Sequence, residues 1–68
     1  MSRMRPEERV LRYLRDVYPE RRTLREVQKA VMTGMARTVS AVAECEAAGT
    51  VKRLPDRTVR ATSPLEAR

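Results

Sequence analysis

The chain has 68 residues, room for one small domain that hides only about 60% of the surface its unfolded chain exposes, so its core is a single layer of about a dozen side chains and most enzyme folds are out of reach. Histidine, tryptophan and phenylalanine are absent and cysteine occurs once, which excludes by count His/Cys zinc sites, Ser-His-Asp triads and disulfide frameworks. Charge dominates what remains: 15 Lys and Arg against 9 Asp and Glu give a formal +6, the balance of a protein that meets a polyanion.

Pro6 opens the first element, because proline suits the first turn of a helix and Glu7 and Glu8 behind it complement the positive end of the dipole. Val10, Leu11, Leu14, Val17 and Tyr18 then recur at helical spacing, with Arg9, Arg12, Arg15 and Asp16 on the other side. This helix must stop by Tyr18, since Pro19 biases the residue before it away from helical geometry. Thr23-Leu24-Arg25-Glu26 reads as a capping box and starts a second, short helix whose apolar stripe is Leu24, Val27, Ala30 and Val31, ending near Met32. Gly34 supplies the permissive backbone of a sharp turn, and Met32 or Met35 is placed to plug the corner between the helices. The third helix carries Val39, Val42 and Cys45 inward and ends at Gly49, a C-cap glycine. Beyond it the period changes to two. Thr50 to Leu54 and Thr58 to Thr62 are rich in β-branched residues and flank the turn residues Pro55-Asp56-Arg57, which predicts a two-stranded hairpin.

The expected class is therefore mainly α with a small β-hairpin, with a flexible arm over residues 1–5, one domain over 6–62 and a flexible tail over 63–68. Three helices, the second pair joined by a tight glycine turn and followed by a hairpin, resemble the winged helix-turn-helix family of DNA-binding domains. The resemblance rests on T-L-R-E-V-Q-K-A-V at the second helix, A-R-T-V-S-A-V-A-E-C-E-A-A-G as recognition helix, and G-T-V-K-R-L with T-V-R-A-T as the wing. It implies that the third helix enters the major groove while the wing lies along the backbone or minor groove. Carried over position by position, it puts Arg37, Thr38, Ser40, Ala41 and Glu44 toward DNA, with Lys52, Arg53, Arg57 and Arg60 on the wing.

The charge is unevenly spread. Residues 1–25 hold eight Arg against four acids, 26–49 hold Lys29 and Arg37 against three Glu, and 50–68 hold five bases against two acids, giving +4, −1 and +3. The supposed reading helix is net acidic and Arg37 is its one long outward donor, so backbone contacts dominate base readout and salt controls affinity. Arg9, Arg12 and Arg15 read as a solvated face with packed stems and i,i+4 partners, and Tyr13 and Tyr18 as core-edge packing. Cys45 reads as a small buried hydrophobe. Glu46 falls beside the apolar stripe and must sit at the rim or find Arg53 or another base. Ala36, Ser40, Ala43 and Ala47 trace a seam, either close packing against the second helix or a dimer contact.

These features predict a non-catalytic DNA-binding protein, a small transcriptional regulator or chromatin-like protein, with double-stranded DNA as partner. No cofactor or metal is expected, and a homodimer would let two weak readers add. An RNA-binding, ribosome-associated winged-helix protein is one alternative. A protein-interaction or dimerisation module using the alanine-rich face of the third helix is another. No apolar run approaches the ~18 residues needed to span a bilayer, and no export signal is visible near Met1, so a cytoplasmic, nucleoid-associated location without membrane contact is expected.

Overall fold

Residues 4–65 are described by a computed structural model of the chain. Helix α1 runs over Pro6–Asp16; the Arg5 backbone N–H at its start donates to Glu8 Oε1 at 2.9 Å, and Glu7 and Glu8 occupy the first turn. The chain then turns through Val17 to Pro19, after a cis Tyr18–Pro19 peptide, into a two-residue strand β1, Arg22–Thr23. That strand has no counterpart in the sequence reading, where two residues are too short to show an alternating pattern.

Thr23 also caps α2, Leu24–Val31. Its hydroxyl accepts from the Glu26 N–H at 3.1 Å, and Glu26 Oε1 accepts from the Thr23 N–H at 2.8 Å, so both arms of the predicted capping box are made. The Thr23 N–H holds the Glu26 carboxyl below the usual carboxylate range. Met32, Thr33 and Gly34 separate α2 from α3, Met35–Ala48, and the Gln28 side-chain amide donates to the Thr33 carbonyl at 2.7 Å.

The left-handed residue in this turn is Met32, at φ 54 and ψ 48, whereas Gly34 has φ −67, which any residue adopts. The special backbone expected of Gly34 therefore belongs to Met32. Nor does either methionine plug the corner: Met35 is exposed and Met32 is 84% exposed, while Val31, one residue earlier, takes the buried position. Gly49, at φ 81, ends α3 as predicted, with its N–H donating to Glu46 O and the Thr50 N–H to Cys45 O, both at 3.0 Å. This is the paired hydrogen bonding of a Schellman motif.

Strands β2, Val51–Arg53, and β3, Thr58–Ala61, form the predicted hairpin, and β1 adds on the other side of β3 to give an antiparallel sheet of order β1-β3-β2. The hairpin closes through Leu54 N–H to Thr58 O at 2.8 Å and Arg57 N–H to Leu54 O at 3.1 Å, with Arg57 left-handed at φ 68. A tight turn followed by one left-handed residue is a common way to join twisted strands.

The core joins Val10 and Leu14 of α1, Val27 and Val31 of α2, Ala41, Val42 and Cys45 of α3, and Val51, Val59 and Ala61 of the sheet. Tyr13 and Tyr18 pack at its edge as predicted, with Leu11 and Leu24. Cys45 is buried and unpaired, and burial pushes its thiol pKa up. The architecture is thus three helices with a small antiparallel sheet, mainly helical, as the sequence implied. Of the expected loose ends, Arg5 is engaged at the start of α1 and the Leu65 N–H donates to the Arg15 carbonyl at 3.2 Å; residues 1–3 and 66–68 lie outside the described part. No helix among the described residues is long and apolar enough to cross a membrane.

Candidate nucleic-acid interface

Helix α3 buries Thr38, Ala41, Val42 and Cys45 rather than the expected Val39, Val42 and Cys45. Thr38 is 0% and Ala41 1% exposed, while Val39 is 41% exposed. Thr38 and Ala41 are therefore core residues and are removed from the interface. The reason is geometric and chemical. Positions 38, 41, 42 and 45 fall within an arc of roughly 100°, whereas 39, 42 and 45 drift by about 60° per step. The Thr38 hydroxyl donates to the Gly34 carbonyl at 3.0 Å, so its polar atom is satisfied inside the helix and its methyl packs like that of a small valine.

Opposite this buried arc lie Ala36, Ser40, Ala43 and Ala47, all exposed. The small-residue seam expected against α2 is thus the outer face of α3. Arg37 and Glu44 flank it on one side and Val39 on the other. Arg37 lines a depression of about 240 Å³ together with Glu7 and Glu44, so two acidic residues border the same hollow as the one long donor of this helix.

The sheet sorts the wing cations by parity. Lys52 stands directly across from Arg60, and Val51 across from Ala61. Val51, Val59 and Ala61 face the core, so Lys52 and Arg60 share the outer face. Arg53 pairs with Val59 and takes the inner parity, at the sheet edge beside α3. There its Nε lies 3.2 and 3.3 Å from the two Glu46 carboxylate oxygens, and a terminal nitrogen lies 2.8 Å from Oε1. This fork-shaped pair holds the Glu46 carboxyl below its ordinary range and raises the Arg53 pKa. Glu46 has found the partner the sequence offered it, and Arg53 is withdrawn from the outer wing.

Elsewhere on the sheet, Arg21 reaches Asp56 at 3.4 Å and Arg22 reaches Glu20 at 3.7 Å, with the Arg22 Nε also donating to the Tyr13 hydroxyl at 3.3 Å. Asp56 further accepts from the hydroxyl and N–H of Thr58, and the hydroxyl bond chiefly lowers its pKa. Among the described residues, Lys52, Arg57 and Arg60 have no carboxylate within 4 Å; neither do Arg25 and Lys29 on α2, nor Arg9 and Arg12, whose expected i,i+4 partners are not engaged. Arg15 is half-buried, and its buried Nε has no hydrogen-bond partner among the described residues. The sequence placed Arg53 on the wing and also offered it to Glu46, and the ladder register with the Glu46 pair decides between the two. No three His, Cys, Asp or Glu side chains among the described residues gather in a way that would hold a metal ion.

Comparison with family models, with characterised proteins and with solved structures finds no match to this chain.

Proposed function

We propose that the protein is a non-catalytic duplex-DNA-binding module of winged helix-turn-helix type, held to the phosphate backbone by the hairpin. The observation that carries this reading is the outer face of the wing, where Lys52 and Arg60 oppose each other across strands and Arg57 occupies the tip, none with a carboxylate within 4 Å among the described residues. Like charges set directly opposite destabilise a sheet unless an external anion lies between them. The exposed face of α3 contributes Ser40 and alanines, and Arg37 and Glu44 only from its flank, so base readout is sparse and phosphate contact sets the affinity.

Titration of a random duplex, a palindromic duplex and a structured RNA at two salt concentrations tests this. Duplex binding that falls steeply with salt is expected. Replacing Lys52, Arg57 and Arg60 together by Ala is expected to weaken all duplexes alike and to lower the log–log salt slope by about 2.7 for three lost phosphate contacts. No duplex affinity at low salt, or a triple variant that binds as the parent does, overturns the reading; tighter RNA than duplex binding transfers it to RNA.

One observation favours a second role for α3. Its outer face of Ala36, Ser40, Ala43 and Ala47, bordered by exposed Val39, is uncharged and flat enough for close helix contact with a second copy or another protein. Sedimentation of the protein with Ala43→Arg, alone and with duplex, separates the two uses. Loss of a dimer with duplex binding retained favours the contact role.

A further inference from the structure

Three of the five large exposed apolar side chains among the described residues gather in one place. Met4, Met32 and Leu65 line a groove of about 370 Å³ between α1 and α2, with the Tyr13 ring in its wall. Its volume is at the lower end of what a ligand-sized cleft needs. On the α1 side the lining positions are Arg9, Arg12, Tyr13 and Asp16, spaced i, i+3, i+4 and i+7. That strip follows the helix for two turns, about 10 Å, and matches the length over which a partner helix presents anchors at the same spacing.

The rim is basic on balance, with Arg9 and Arg12 against the single acid Asp16, and neither arginine meets a carboxylate within 4 Å among the described residues. Among the described residues Met32 is the most exposed of the large apolar groups, although its left-handed backbone is unfavourable for a side chain of its size. Flexible thioethers at a surface adapt to varied apolar partners. No lining residue comes from α3, β2 or β3, so an occupant here leaves both the reading helix and the wing uncovered.

We propose that this groove docks an amphipathic segment of another protein, carrying two or three apolar anchors at helical spacing between acidic residues. Charge argues against the same face of a second copy as occupant, since the groove's own rim is cationic. The site is independent of the DNA reading, and its partner recruits this protein or is recruited by it through a face remote from the wing.

Selection of a random twelve-residue peptide display library on the immobilised full chain tests the assignment. The expected consensus combines Leu, Ile or Phe at i, i+3 or i+4 with flanking Asp or Glu, and a synthetic peptide of that consensus shifts the amide resonances of Arg9, Arg12, Ala30, Met32 and Leu65. Two variants should each lower its affinity at least tenfold: Arg9→Gln with Arg12→Gln, and Met32→Asn, which keeps the left-handed turn because Asn accepts it. Thermal unfolding of both variants checks that the fold is kept, and peptide affinity measured on whichever variant melts as the parent does decides the outcome. A selection that enriches nothing, a basic or purely apolar consensus, resonance shifts confined to α3, or binding unchanged in the folded variant overturns the proposal. So does a concentration-dependent dimer whose contacts are these same residues.

Discussion

Arg53 and Glu46 show how one side chain's direction decides its chemistry. The pair is partly exposed, so it adds no more than about 1 kcal/mol to stability. Its larger effect falls on the charge available to a ligand. Glu46→Gln is expected to release Arg53, raising duplex affinity and the log–log salt slope by up to about 0.9, one further phosphate contact; an unchanged slope in a salt titration would show that Arg53 stays on the inner face. Arg57 is held left-handed at the hairpin tip, where glycine carries no steric cost. Arg57→Gly is accordingly expected to raise stability by about 0.5–1 kcal/mol while weakening duplex binding, opposite signs on two readouts that denaturant melts and titrations measure separately. The identity of the wing cations was legible in the sequence. Which of them faces outward was not, because it depends on the ladder register that pairs Arg53 with Val59.

The capping box at Thr23 and the glycine at the end of α3 are local devices, and both were readable because each residue does its work within four positions of itself. The rotational phase of α3 was not readable from its valines. Thr38 passes for a polar surface residue until its hydroxyl is seen to close back on Gly34, and only then does the set 38, 41, 42, 45 form a tighter apolar arc. Thr38→Val tests that phase: it is expected to leave duplex affinity within about twofold, since the residue is buried, and to change stability by no more than about 1 kcal/mol. The turn before α3 gives a second test. Met32→Gly relieves the left-handed strain and is expected to raise the melting midpoint by about 4–8 °C if it contributes 1 kcal/mol in a domain of this size, whereas the same gain at Gly34 would require a capping side chain rather than a new backbone angle.

At the scale of the molecule, a core of valines and alanines with one leucine and one cysteine leaves little reserve. Leu14 is the largest fully buried side chain, and Leu14→Ala is expected to cost about 2–5 kcal/mol, most of the stability of a domain this small, with loss of a cooperative thermal transition. Acid should act through three carboxyls. Glu26, Glu46 and Asp56 all titrate below their ordinary ranges in the fold. Each therefore contributes stability above its unfolded pKa, near 4, which is lost as pH falls through the lower folded value, because the unfolded chain binds more protons in that window. Denaturant midpoints should hold steady from about pH 7 to 5 and fall below about pH 4. The grouping of Met4, Met32 and Leu65 was hidden from the sequence, since it joins positions from both ends of the described chain to the end of α2.

The order β1-β3-β2 places the third strand in chain order at the centre of the sheet. Both edge ladders wait for Thr58 to Ala61, because each edge strand pairs with these residues alone. The sheet therefore cannot begin to form until Thr58 to Ala61 are available for pairing, and a chain cut short before Thr58 loses both ladders at once.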